Sequence, residues 1–331
     1  METTQGTMLK KSKWKTLTSS NLFSLAIIVA VMFIVMVLVK PDYLSSANIV
    51  TLGRTLAITT LVGYAQLISL SAGGMNLAIG SVGAMSAIFS GIMMERLGMG
   101  AGVAFLVGIA VALVCGVING LLIYRNGGVG VASFLVTLAT SSIFTGIVLT
   151  VTESKPLYKL SDDFINIGNT KVLGVTTSVF IMLAIAVALF ILYRQTRLGK
   201  QMLAFGANPK AAELYGVSKF KTVLAVNVLS ALVAGLAGML VVMRIGSAQP
   251  DIGTDWMLMS FSAALIGGTY MNGGKVSIWG TILGALIITI VENALVHMKI
   301  DIYWNQLFNG AIILIVVAAE RIKNFRQSKI N

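Results

Sequence analysis

Ten apolar stretches of 17 to 25 residues, joined by mostly short polar segments, decide what this chain can become. They run over 22–39, 49–72, 75–94, 99–123, 131–151, 174–193, 222–243, 256–272, 276–296 and 303–319. About 20 apolar residues in a helix cross the hydrocarbon core of a bilayer. In lipid the backbone must satisfy its own hydrogen bonds, which favours helices. The pattern predicts an all-α integral membrane protein of about ten transmembrane helices. Composition agrees: 11% of the residues are charged, against about 25% in a soluble domain. The first run follows Lys10, Lys11, Lys13 and Lys15 and spans 18 residues, Leu22 to Val39. A signal peptide has a core of about 7–15 residues. Here Lys40-Pro41-Asp42-Tyr43 follows, so the run reads as an uncleaved first span.

The distribution of basic residues sets the orientation. With the N-terminus inside and ten spans, the C-terminus is also inside. Sixteen of the 24 lysines and arginines then face the cytoplasm, seven lie outside and Arg54 lies within a span. The outer loops also carry eight acids and are near neutral. The net charge of +12 is thus a topology signal, and it argues against nucleic acid as a partner. The expected organisation is a cytoplasmic N-terminal segment over 1–21, one transmembrane permease domain over 22–319, and a cytoplasmic tail over 320–331. Two loops are long. An outer loop covers 152–173 and includes Asp162-Asp163, and an inner loop covers 194–221 with six basic residues and Glu213. Loops of this length usually meet something.

Within the inner loop, Asn208-Pro209-Lys210-Ala211-Ala212-Glu213-Leu214-Tyr215-Gly216 reads as a short capped helix. Asn208 can accept from the first free amides. Pro209 takes the first helical position, where its missing N–H costs nothing. Gly216 suits a left-handed stop. Such a helix at the cytoplasmic face either transmits a partner's movement or is an ordinary interfacial turn.

Two glycine-interrupted stretches, 73–81 and 246–254, correspond under a shift of 173. Gly73 meets Gly246, Asn76 meets Gln249, Ile79 meets Ile252, Gly80 meets Gly253, and Ser81 meets Thr254. One follows an out-to-in span and the other an in-to-out span. An inverted repeat of spans 2–5 and 7–10 would give this, and interrupted segments at matching places mark substrate paths in transporters. Close helix packing is the competing explanation. The spacings Gly116-x-x-x-Gly120 and Gly280-x-x-x-Gly284 speak of packing alone.

Arg54 and Glu292 are the clear intramembrane charges. They are pathway residues, or they form a structural pair, or they snorkel to the span ends. A proton- or sodium-coupled carrier needs a buried acidic relay, which this sequence scarcely offers. Neither Gly199-Lys200 nor Gly274-Lys275 continues into a phosphate-binding loop, because Gln201 and Val276 stand where Ser or Thr is required. No Ser/His/Asp or paired-carboxylate constellation lies within the membrane, so the chain is not expected to be an enzyme. Cys115 is unpaired, which excludes a disulfide framework. His297 is the single histidine, which leaves no multi-histidine metal site, and it reads as a loop residue near a helix end.

Over about 45–320 the chain resembles the permeases of bacterial sugar importers of the ATP-binding-cassette type, which are ribose-permease-like proteins. The family pattern Gly-Ile-Asp-Leu-Ser-Val-Gly-Ser is similar to Gly74-Met75-Asn76-Leu77-Ala78-Ile79-Gly80-Ser81. Thr196 to Gly199, Gly206 to Asn208, Ala211-Ala212 and Gly216-Val217 resemble its cytoplasmic pattern. Ser247-Ala248-Gln249-Pro250, Leu265 to Thr269, Gly273 to Lys275 and Gly280 to Ile287 resemble its further motifs. This chain departs from the pattern at Asn76, where aspartate is common, and at Ala78, where serine is. An amide both donates and accepts where a carboxylate only accepts, so the solute need not be ribose.

The resemblance implies a permease subunit of a bacterial inner-membrane importer that passes a small sugar-like solute by alternating access. It implies a substrate pathway near Gly73, Gly74, Asn76, Ser81, Gln249 and Asp251. It places ATPase coupling on Gly206, Asn208, Pro209, Ala211, Ala212, Glu213 and Gly216. The implied partners are two ATPase subunits, a second permease (a copy or a paralogue), a periplasmic or lipid-anchored solute-binding protein, and membrane lipid. No cofactor is expected in this chain, since ATP and magnesium belong to the partner subunits. The rival expectations are a permease for a nucleoside, polyol, signalling sugar or branched-chain amino acid, and a stand-alone secondary carrier.

Overall fold

The computed structural model describes residues 21–172 and 174–299, together with Trp304, Leu307, Gly310, Ala311 and Leu314. The tenth apolar run falls almost wholly outside the described residues, as do most of the N-terminal segment and the whole C-terminal tail.

The described chain is mostly helical. Helices α1 (Asn21–Val39), α2 (Ser46–Ser71), α3 (Ile79–Glu95), α4 (Ala101–Arg125) and α5 (Val131–Thr152) are followed by a short α6 (Asp162–Asn169). Strands β1 (Lys171–Val172) and β2 (Val175–Thr176) then pair antiparallel, Lys171 opposite Thr176. The chain continues through α7 (Thr177–Gln195), α8 (Arg197–Ala207), α9 (Pro209–Leu214), α10 (Lys219–Ile245), α11 (Trp256–Ile266) and α12 (Ile278–His297). Among the described residues six helices are long and apolar enough to cross a bilayer: α1, α4, α5, α7, α10 and α12. Leu38, Leu106, Leu135, Ile143 and Val187 present apolar surface outward from these helices. Such a surface suits lipid and not water, and the chain is a multi-pass integral membrane protein.

Helices α2 and α10 form the centre. Helix α2 packs on α10, α11 and α12, while α10 packs on α2, α3 and α4. Because protein surrounds α2, it need not be apolar, and it buries Thr59, Thr60, Gln66, Ser69 and Ser71. The outermost helix, α1, leans on α12 through Met36, Phe33 and Ile290.

The 173-residue shift extends from motifs to elements. Helices α2 and α10 begin 173 positions apart, and the starts of α3 and α11, and of α4 and α12, agree with that shift to within four residues. The contacts correspond as well, since α10 on α3 and α4 mirrors α2 on α11 and α12.

Two apolar runs are not continuous helices. The run at 75–94 is helical only from Ile79. The run at 256–272 is helical over Trp256–Ile266 alone, about 16 Å of rise against a core about 30 Å thick. Helix α11 ends in a Schellman turn. Gly268, at φ +87°, donates to Leu265 O at 2.9 Å, and Thr269 N donates to Ala264 O at 3.1 Å. Hydropathy alone misses this stop, because Gly-Gly reads as apolar. His297 closes α12 and is not a loop residue.

The loop over 152–173 is held down. Leu157 exchanges two backbone hydrogen bonds with Ala248, each of 2.9 Å. Glu95 Oε2 accepts from Tyr158 N at 2.6 Å and Lys159 N at 2.8 Å. Phe164 of α6 is fully buried.

Candidate functional site

Residues 72–78 run unwound between α2 and α3, with Gly74 bridged in parallel to Gly130. Unwound backbone inside a membrane protein needs polar partners, and α5 supplies them. Ser133 Oγ accepts from Met75 N at 2.9 Å, and Thr137 Oγ1 accepts from Leu77 N at 3.0 Å. Asn76 is turned into the protein. Its Oδ1 accepts from Ala78 N at 2.9 Å and its Nδ2 donates to Ser230 Oγ at 3.1 Å. The Ser230 hydroxyl in turn donates to Ala65 O at 2.8 Å. One amide side chain thus joins the start of α3 to α10 and, through Ser230, to α2.

Beyond this turn the two interrupted stretches meet. A Cβ on Gly80 would collide with the carbonyl of Gly253, and one on Gly253 with the carbonyl of Gly80. One turn further, Gly83 lies under the Trp256 ring, where a Cβ would come 2.6 Å from Cζ3. Both pairs are equivalent positions under the 173 shift.

Beside the Gly80–Gly253 crossing lies a cavity of about 230 Å³. Ser81 and Leu77 line it from one stretch, Pro250 and Thr254 from the other, and Ser141 and Thr145 from α5. A second cavity, of about 330 Å³, includes Gly73, Met75, Gly130 and Asn272 in its lining. Of the six expected pathway residues, Ser81 lines the first cavity and Gly73 the second, while Gly74, Asn76, Gln249 and Asp251 line neither. Gln249 instead donates to Ser247 Oγ at 3.4 Å, and Asp251 is exposed.

The second expected set is built around a capped helix. Asn208 Oδ1 accepts from Ala211 N at 3.1 Å at the head of α9. Gly216 adopts φ +82° at its end. Ala212 is buried, and Glu213 faces outward. Gly206 is wedged against Ser71, Ala72 and Gly274, and Gly273 sits against both Gly73 and Gly206. Gly274 N donates to Ser71 O at 3.1 Å. The segment leading into α9 therefore rests directly on the end of α2 and the first interrupted stretch. The expected pathway and coupling sets touch at Gly73 and Gly206.

Sequence reasoning passed over four residues. Leu214 and Tyr215 are 89% and 90% exposed at the tip of α9, an apolar pair among charged neighbours. Ser141 and Thr145 were hidden in a run that also holds Ser133, Thr137, Thr140 and Ser142. Their four-residue spacing, which puts both on one helix face, was the available signal.

Of the three expectations for Arg54 and Glu292, the structural pair is not formed. Arg54 donates to Asn169 O at 3.3 Å, and Asn169 Nδ2 donates to Met243 O at 2.6 Å. Arg54 and Glu292 form no ion pair among the described residues. Outside the membrane-spanning segments, Lys155 at 2.9 Å holds the Glu153 carboxyl below its ordinary range. Burial pushes the Tyr43 hydroxyl up.

Residues 47–317 match the family described as branched-chain amino acid transport system / permease component. The D-allose transport system permease protein of Escherichia coli is 31% identical, over 91% of this chain and 90% of that protein. The ribose import permease protein of Bacillus subtilis is also 31% identical, over 92% of both chains. The L-arabinose transport system permease protein of Escherichia coli is 27% identical over 91% of this chain and 90% of its own.

Proposed function

For a chain that belongs to the family of permease components of branched-chain amino acid transport systems, we propose the role of membrane permease in an ATP-driven sugar importer. It is a multi-pass protein of the inner membrane and a transport protein. The names of its relatives, which concern allose, ribose and L-arabinose, favour a sugar over an amino acid. The chain has ten spans with both termini in the cytoplasm, and spans 2–5 and 7–10 form an inverted repeat.

The observation that carries the reading is the seat of Gly206 against Ser71–Ala72 and, through Gly273, against Gly73. Two ATPase subunits dock on α9 of a two-permease core, where Leu214 and Tyr215 enter a groove on the ATPase. ATP and magnesium are used there and not in this chain. Closure of the ATPases moves α9 and α8, and with them the end of α2 and the stretch over Gly73 and Gly74. Asn76 carries that movement to α3 and α10. The crossing at Gly80 and Gly253 then opens to one side or the other, with Ser81, Gln249 and Asp251 along the path. Solute arrives from a periplasmic or lipid-anchored binding protein seated on the outer face. Interfaces and packed cores of this kind switch between discrete arrangements and do not deform continuously.

The test is co-purification of the ATPase subunit with wild type and with Leu214→Asp plus Tyr215→Asp. Both side chains are solvent-exposed, so the variant keeps its fold. Loss of the ATPase from the variant alone supports the reading. If the ATPase associates with neither, or equally with both, α9 is not the coupling element.

A further inference from the structure

The cavity beside the Gly80–Gly253 crossing has a chemistry that the motifs do not announce. Ser133 of α5 donates to the carbonyl of its N-cap, Gly130, and Thr137, Thr140, Ser142, Thr150 and Thr152 donate to carbonyls of their own helix. Ser141 and Thr145 do not. Neither hydroxyl is bonded to any described residue, and neither is sealed from solvent. They stand one turn apart, and both line the cavity. In the same lining, the Ser81 hydroxyl donates to Ala78 O at 3.0 Å and that of Thr254 to Asp251 O at 3.0 Å. Those two oxygens keep lone pairs to offer. No charged side chain lines the cavity.

A free hydroxyl both donates and accepts, whereas a back-bonded one chiefly accepts. The cavity therefore combines two free hydroxyls at helical spacing, two acceptor hydroxyls from the interrupted stretches, apolar walls from Leu77, Ala84, Ile252 and Met257, and no charge. Neighbouring hydroxyls on an uncharged ring molecule complement such a set. A carboxylate, phosphate or ammonium group would enter without a counter-charge, at a large desolvation cost.

We propose that Ser141 and Thr145 of α5 contact the solute in transit, hydrogen-bonding adjacent hydroxyls of an uncharged sugar or polyol at the Gly80–Gly253 crossing. This rests on the importer reading and adds the residues and the charge class that it leaves open. Weak binding suits the position, because solute must leave as readily as it enters.

The test uses the assembled transporter, this chain with its ATPase and binding protein, in proteoliposomes. Ser141→Cys and Thr145→Cys should react with 2-hydroxyethyl methanethiosulfonate about tenfold faster than the outward-facing Ile143→Cys, since a thiol in lipid stays protonated and unreactive. The native Cys115 is buried and adds little background. Radiolabelled D-ribose, D-allose and L-arabinose serve as transport probes. Ser141→Ala with Thr145→Val keeps the shape, removes both hydroxyls and should lower the maximal uptake rate about tenfold, the worth of one to two hydrogen bonds. Ser141→Thr with Thr145→Ser restores most of the rate. Equal labelling at all three positions overturns the placement. Unchanged uptake in the variant lacking both hydroxyls overturns the solute contact while leaving the importer intact. If wild type holds its ATPase and the Ser141→Cys and Thr145→Cys variants label faster than Ile143→Cys, yet wild type takes up none of the three sugars, the sugar-importer reading fails and the polyol assignment fails with it.

Discussion

Gly80 and Gly253 stand 173 residues apart and touch backbone to backbone, and the same shift that aligns their sequences brings them into contact. Equivalent positions of a two-fold repeat meet only on or near the axis that relates them. The crossing is therefore a point of contact between the two halves at the positions that correspond under the shift. A methyl on either glycine must push the other half away. Gly80→Ala should lower the thermal midpoint of the purified protein by an amount corresponding to about 1–3 kcal/mol, the usual cost of overpacking, and should stop uptake. Gly253→Ala should cost more, because its φ of +85° disfavours a side chain. Wild-type stability for both variants in a thermal melt would show that the halves do not meet there.

Asn76 is a strut. Asn76→Ala leaves Ala78 N and Ser230 Oγ short of a partner each, and a buried group so orphaned costs about 1–3 kcal/mol. The expected outcome is a lower thermal midpoint, with the preference among sugars unchanged, since the side chain does not line the cavity. A changed ranking of sugars in competition uptake would make Asn76 a direct solute contact.

Glu95 pins the 152–173 loop by accepting from two successive amides, those of Tyr158 and Lys159. Glu95→Ala should release this clamp. Hydrogen exchange at these amides should rise about tenfold, on the scale of one charge-assisted hydrogen bond, and exchange in α2 should stay constant. Unchanged exchange at 158 and 159 would mean that the Leu157–Ala248 bridge holds the loop unaided.

At the tip of α9, Tyr215→Ala should weaken ATPase association by about tenfold or more, as expected of a buried interface tyrosine, with no change in thermal midpoint. Glu213→Ala, a rim charge by this account, should alter the salt dependence of association more than its strength. An equal loss of affinity from both substitutions would show that Glu213 is not a rim charge.

Much of this was readable beforehand. The apolar runs predict α1, α4, α5, α7, α10 and α12 to within a few residues, because each is apolar along its length, whether it faces lipid or packs at the centre as α10 does. The Asn208 cap, Pro209 and the Gly216 stop are local chemistry and are visible locally. The ends of α3 and α11 were less legible. Glycine and alanine count as apolar whether they continue a helix or break it, and only the neighbours of Gly74 and Gly268 decide which. Arg54 had the same difficulty. Its partner, Asn169 O, is a backbone atom 115 positions away, and no side-chain pattern encodes it. The shift of 173 was visible as five similar positions, but not that Gly80 and Gly253 would touch. Ser141 and Thr145 needed the structure most, because what separates them from the six other hydroxyls of α5 is a hydrogen bond not made.

The polar, centrally buried α2 also sets a timetable. Its partners α10, α11 and α12 lie beyond the 147 residues that separate Ser71 from Lys219. At about 5–20 residues per second, a ribosome needs roughly 7–30 s to supply the first of them. Throughout that interval Thr59, Thr60, Gln66, Ser69 and Ser71 have no central helix to face. The second helix must therefore be sheltered during synthesis, by the insertion machinery or by the early pair α3 and α4, and biogenesis is most exposed to failure before α10 arrives.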